Sequence, residues 1–273
     1  MTNKPRRSSL KKNKRKGKII GTFLVLFSII MVSILIYLNF QLKVESVDQN
    51  TLCSLDKEPA SVIAILIDAT DSIPERTARE ANIKLKNIIA KLPVNSEIAL
   101  YEINDKQGDH IRPIIKLCKP IDGSSSSVLT SNPEHIKYKF NERFFRPLEQ
   151  SLESLIKGSD SKKTPLIEAI QSASIESFLP HEGVINKKLI VVSDFLQHSK
   201  NYSFYSKSPS FSEYLDKKRR LGLGKVDLTG VEVTFFVIPR SSTKIQRRSV
   251  IKFWREFIIE NNASIGSNME PLS

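Results

Sequence analysis

Ile19–Leu38 (IIGTFLVLFSIIMVSILIYL) carries no charged side chain, and this run constrains the chain more than any other feature. About 20 apolar residues rising ~1.5 Å each cover the ~30 Å hydrocarbon core of a bilayer. Gly21, Thr22, Ser28 and Ser33 interrupt the run, and spanning helices accept such small residues. A secretory signal has a shorter apolar region, roughly 7–15 residues, and ends in a small-residue cleavage site. No alanine precedes Ala60 to build one. Residues 19–38 therefore read as an uncleaved transmembrane anchor.

The net charge of +13 would by itself suggest a nucleic-acid partner. Its distribution argues otherwise. Lys4, Arg6, Arg7, Lys11, Lys12, Lys14, Arg15, Lys16 and Lys18 supply nine positive charges with no acid among them, and 13 − 9 leaves +4 for everything after. A chain so mildly basic past its tail has no nucleic-acid footprint. Residues 1–18 read as a basic tail that orients the helix and meets anionic headgroups. The positive-inside rule then places the N-terminus in the cytoplasm and the C-terminal part outside it. The pattern fits a bacterial inner-membrane protein with a periplasmic domain, and it also allows a type II protein of a secretory pathway.

Residues 39–59 are polar, lack hydrophobic periodicity and read as a linker. The two cysteines of the sequence are Cys53 and Cys118. An even count in an exported domain predicts a Cys53–Cys118 disulfide in an oxidising compartment, the alternative being two unpaired thiols. Neither has a Cys or His neighbour at metal-ligand spacing.

Residues 60–273 alternate between strand and helix patterns. Val62–Ile67 (VIAILI) is a continuous apolar run, as in a strand buried on both faces. Pro74–Leu92 repeats apolar residues at helical spacing and ends at Pro93. Strands follow at Glu97–Ile103 and Ile111–Leu117, then a polar loop with Ser124–Ser127. A helix over Glu134–Ile156 is interrupted near Pro147, and another runs over Pro165–Leu179. Lys188–Val192 and Val231–Ile238 are further strands, and Lys244–Ile259 is a closing amphipathic helix. The expected fold class is α/β: a doubly wound, mostly parallel sheet with helices on both faces, preceded by a single transmembrane helix.

Ligands of such sheets bind beyond the carboxyl ends of the strands, where strand order reverses. Asp68, Thr70 and Ser72 follow the first strand at alternate positions. Ser193-Asp194 follows the Lys188–Val192 strand, and Thr164 opens a helix between them. Two carboxylates and three hydroxyls make an oxygen-only set, suited to Mg²⁺, Mn²⁺ or Ca²⁺.

These residues resemble the metal-ion-dependent adhesion site of the von Willebrand factor type A domain. That site has Asp-x-Ser-x-Ser after the first strand, a Thr from a later loop and an Asp after the fourth strand. Here they are Asp68-x-Thr70-x-Ser72, Thr164 in TPLIEAI and Asp194 in LIVVSDF, and the likeness covers roughly residues 60 to 262. The resemblance implies direct hydroxyl ligation of Mg²⁺ or Mn²⁺, carboxylates acting partly through water, and a partner protein's acidic side chain completing the shell. Thr70 stands where Ser is usual. Phe195 replaces the family's Gly and is expected to narrow the site; Asp71 adds a carboxylate.

Two other readings compete: a metal-dependent hydrolase of phosphoryl substrates, and a structural subunit of a membrane assembly with a degenerate metal site. The spacing of Asp68 and Asp71 does not match the D-x-D pair of dehalogenase-type phosphotransferases, and His110, His135, His181 and His198 form no ligand motif. The stretch from Gln197 to Leu223, with Tyr202, Phe204, Tyr205, Phe211, Tyr214 and Lys217–Arg220, reads either as a protein-binding rim or as a solvated insertion.

Overall fold

The computed structural model describes residues 8–41, 46–106, 108, 110–124, 132–158, 161–206, 208–240, 245–266 and 270–272. For 8–19 and 38–41 it describes the backbone alone. Lys4, Arg6 and Arg7 of the basic tail, Ser125–Ser127 and Lys244 lie outside the described residues.

The chain divides into two units, Met1–Ser46 and Val47–Ser273. The first is built on helix α1, Ser8–Gln41. Its segment Ile20–Tyr37 has a mean hydropathy of 2.5 and is fully exposed, so it is long and apolar enough to cross a membrane.

The second unit is a mixed, mostly parallel sheet of seven strands with helices. In chain order the strands are β1 Ser61–Asp68, β2 Ser96–Ile103, β3 Ile115–Cys118, β4 Lys187–Ser193, β5 Val231–Val237, β6 Ser264–Ile265 and β7 Glu270–Pro271. They lie in the order β3-β2-β1-β4-β5-β6, with β7 also on β5. Only the β2–β3 pair is antiparallel. All eight residues of β1 are buried, because β2 and β4 flank it and both faces are covered.

Side chains alternate across a strand, and β1 shows the consequence. Val62, Ala64 and Leu66 join one core cluster; Ile63, Ile65 and Ile67 join the other. The first cluster is closed by α5 (Leu166–Ala173), α6 (Phe211–Leu221) and α7 (Arg247–Glu260). The second is closed by α2 (Glu75–Ala90), through Ala81, Leu85 and Ile89, and by α4 (Arg146–Ile156), through Leu148, Leu152 and Leu155.

Three features differ from expectation, the first two for local reasons and the third for a cause distant in sequence. The third strand begins only at Ile115, since Pro113 removes an N–H from the middle of the expected run. The break near Pro147 is a π-helical turn, Asn141–Phe145, between α3 (Pro133–Phe140) and α4. Pro147 cannot donate to the Arg143 carbonyl and its ring would crowd it, so the preceding turn widens. The third difference is Gln197–Leu223, whose aromatics are mostly core. Phe204, Phe211 and Tyr214 are buried, and Tyr202, Phe204, Phe211 and Tyr214 all pack on Phe253 of α7. Tyr205 alone of the five is exposed, at 61%. Lys218, Arg219 and Arg220 fall in the last turn of α6, where cations complement the helix dipole.

The polar stretch before β1 is held to the sheet from Val47 onward. Val47 bridges Ser54, the Cys118 amide donates to the Thr51 carbonyl, and the Ser54 amide donates to Asn95 Oδ1. The expected disulfide joins Cys53 to Cys118, with Cα atoms 4.7 Å apart. It fastens this stretch to the end of β3 and suits an oxidising compartment. Closing a 65-residue separation stabilises by roughly 4 kcal/mol on the loop-entropy model. Replacing both cysteines by serine should therefore lower the urea midpoint markedly, and dithiothreitol should do the same to the wild type alone. Equal midpoints in all conditions would show that the bridge adds no stability.

Candidate functional site

Strand order reverses at β1: β2 lies on one side and β4 on the other. The carboxyl ends of β1 and β4 form the resulting crevice, and the parallel register sets Ile67 beside Val192. Asp68 and Ser193 are therefore neighbours, and Ser193 Oγ donates to Asp68 Oδ2 at 2.6 Å. On the other side of the carboxylate, Thr70 donates to Asp68 Oδ1 from its hydroxyl at 2.6 Å and from its amide at 3.1 Å.

Thr164 reaches the same place from a sequence distance of 94 residues, its hydroxyl 3.1 Å from that of Thr70. Paired backbone hydrogen bonds with His198, each 2.9 Å, hold its position. Gln197 Oε1 accepts the Ile167 amide at 2.9 Å, fixing the first turn of α5 just behind it. Asp194 lies close enough for its charge to act on Asp68. Four of the five expected residues thus converge. Ser72 is exposed and makes no hydrogen bond to the others. Asp71 is exposed too, and its carboxylate turns to Arg240.

Gly158 shapes the β1–α2 loop. Its φ is +77°, and a Cβ there would sit 3.0 Å from the Asp71 carbonyl oxygen and 3.1 Å from Ser72 Cα. The absence of a side chain lets the end of α4 lie against the loop.

Phe195 does not narrow the site. It is buried to 1% exposure, with its ring 4.7 Å from that of Phe235 and 5.9 Å from that of Trp254. Its φ of +65° is left-handed, a conformation that costs a non-glycine residue about 1–2 kcal/mol. Burying a phenylalanine ring is worth about 3–5 kcal/mol against alanine, and Trp254 Nε1 donates to the Phe195 carbonyl at 3.0 Å. Packing outweighs the strain.

Two contributors lie outside the five expected residues. Ser193, directly before Asp194, donates to Asp68. Arg240 stands three residues beyond the end of β5, and its guanidinium spans two carboxylates: Nε lies 2.9 Å from Asp194 Oδ2 and Nη2 2.8 Å from Asp71 Oδ2. The signal for Arg240 in the sequence is its place beyond the carboxyl end of β5, as Asp68 and Asp194 stand at the carboxyl ends of β1 and β4.

Burial pushes the Asp68 carboxyl up to about 6, and the charge of Asp194 adds to this; hydrogen bonds from Ser193 and Thr70 oppose it. Asp194 is also raised by burial, against the Leu196 amide and Arg240, which favour its charged form. The donor set fits a hard divalent cation. It combines neutral hydroxyls with carboxylates held charged at a cost, and added positive charge would relieve that cost. Among the described residues, Cys53, Glu97 and Cys118 are the one group of three Cys, His, Asp or Glu ligand atoms lying within 4.8 Å of one another; Asp68, Asp71 and Asp194 form no such group. The two sulfurs are bonded to each other, and Glu97 is already paired with Lys116 and His181.

No known family model matches the chain, and a search of curated proteins finds no match.

A folded-state pKa above the unfolded value means that the native state holds the proton more tightly. Stability from Asp68 is then full below about pH 4 and is lost as pH rises toward about 6, reaching about 3 kcal/mol at neutral pH. Asp68→Asn removes this titration. In EDTA, its stability relative to wild type should improve by about 1–3 kcal/mol between pH 4 and pH 7.5 in urea unfolding. A difference independent of pH would contradict the assigned environment.

Proposed function

We propose that this is a membrane-anchored protein whose extracytoplasmic domain binds a protein partner through a divalent cation, on a doubly wound scaffold of the von Willebrand A type. The observation that carries the reading is the Thr70–Thr164 hydroxyl contact at 3.1 Å, backed by Asp68 and set beside Asp194. Residues from three separate loops meet there as an oxygen cluster at the topological switch point. Residues 1–18 face the cytoplasm by the positive-inside rule, and a bacterial inner membrane with the domain in the periplasm is the setting we favour.

Thr70 and Thr164 would hold Mg²⁺ or Mn²⁺ directly, with Ca²⁺ also within the chemistry of the set. Asp68 and Asp194 would supply charge, and Ser72 would join from the loop. The ion would present positive charge to an acidic side chain of the partner. Ser193 keeps Asp68 oriented, and the His198 pairing keeps Thr164 in place.

One observation favours the structural-subunit reading: Arg240 already pairs with both Asp194 and Asp71. The hydrolase reading gains no comparable support. Both oxygens of Asp68 accept hydroxyl protons, and among the described residues no histidine hydrogen-bonds to it.

Partner capture should separate these readings. The complex is crosslinked in cells and isolated, and its acidic contact is identified. EDTA and Asp194→Ala should each abolish capture, and together cause no further loss, because both act on one interaction. Capture that survives both would leave the structural-subunit reading in place.

A further inference from the structure

Asp194 is already compensated by hydrogen bonding and charge in this arrangement. Its side chain is 8% exposed; Oδ1 accepts the Leu196 amide at 2.9 Å, and Oδ2 is paired with Arg240 Nε at 2.9 Å. The same guanidinium binds Asp71 across the crevice, so it bridges the loop after β1 to the loop after β4. A buried carboxylate is tolerated only with compensating charge and hydrogen bonds, and Arg240 supplies that charge. A planar guanidinium does so with directed N–H donors and cannot lose its proton.

A divalent ion held by Thr70, Thr164 and Asp194 brings positive charge to the same carboxylate. The ion and Arg240 would then compete for the single negative charge of Asp194. Arg240 is also 31% exposed by its side chain and is carried on a segment without regular secondary structure. That segment borders a cavity of ≈ 130 Å³ lined by Asp194, Ile238, Ile245 and Val250, so it has room to shift.

We propose that Arg240 is the resting counter-cation of this site and must leave Asp194 before a divalent ion is held there. Ion binding and release of Arg240 are then one coupled step. The inference rests on the metal-site reading of the previous subsection, and makes the ion-free state a closed one rather than an empty one. In that state the Arg240 bridge ties the two loops together; the ion exchanges this bridge for one through Thr70 and Thr164.

The test is a Mn²⁺ titration of the full-length protein in detergent, read by the loss of the free-ion electron paramagnetic resonance signal. Wild type, Arg240→Gln, Arg240→Lys and Asp68→Ala are compared, each checked for folding by circular dichroism. Removing the competing charge should tighten Mn²⁺ binding in Arg240→Gln on the order of tenfold, the effect of one neighbouring unit charge. Arg240→Lys keeps the charge but loses the fork, so its affinity should lie between the two. In EDTA, Arg240→Gln should also unfold at a lower temperature than wild type, with the deficit removed by saturating Mn²⁺. If wild type binds Mn²⁺ in an Asp68-dependent way and both Arg240 variants bind equally or more weakly, the counter-cation role is overturned while the metal site stands. If neither wild type nor any Arg240 variant binds Mn²⁺, the metal site itself fails and the counter-cation role with it.

Discussion

The burial of β1 governs the rest of the domain. Its eight residues lie between two parallel neighbours and under two separate clusters of helices, so no position along it is free to face water. Apolar side chains meet that demand at six positions, Val62–Ile67, and Ser61 meets it by donating to Ser96 Oγ. The last position is Asp68, a carboxylate at 3% exposure. Its charge is unfavourable there unless donors surround it. Ser193 and Thr70 do so at once, and Thr164 follows because it shares a hydrogen bond with Thr70. The oxygen cluster is thus assembled by the solvation needs of one buried acid.

Charge balance then decides what the cluster can do. Asp68, Asp71 and Asp194 bring three carboxylates to one end of the sheet, and Arg240 returns one positive charge. Burial raises the pKa of both Asp68 and Asp194, and a neighbouring carboxylate adds to it in each case, Asp194 for Asp68 and Asp71 for Asp194. A site in this condition favours protons or a cation. Protonation would leave hydroxyls and a neutral acid; a divalent ion would restore charge and gather the same hydroxyls. The von Willebrand A-like reading takes the second course, and the position of Arg240 shows that a cation of the protein's own already stands at the rim.

Much of this was legible in the residues. The continuous apolar run VIAILI announces a central strand, Asp68 and Asp194 stand beyond the ends of expected strands, and Thr164 opens a helix between them. The Cys53–Cys118 pairing followed from count and compartment. Other features depended on contacts that no local pattern encodes. Phe195 looked like an obstruction because its ring was assigned to the site, whereas a left-handed backbone turns it into the core beside Trp254. The aromatics of Gln197–Leu223 looked like a rim because nothing in their spacing reveals that Phe253 lies opposite. Arg240 was one of many basic residues until the fold set it between two acids.

The central claim is that Thr70, Thr164, Asp68 and Asp194 together hold a divalent cation. Crystals of the domain grown with Mn²⁺, with diffraction recorded above the manganese absorption edge, test it without reference to any partner. The account predicts one strong anomalous peak within coordinating distance of both threonine hydroxyls, with Arg240 displaced from Asp194. A fully ordered site with Arg240 still on Asp194 and no anomalous peak at saturating Mn²⁺ would contradict it.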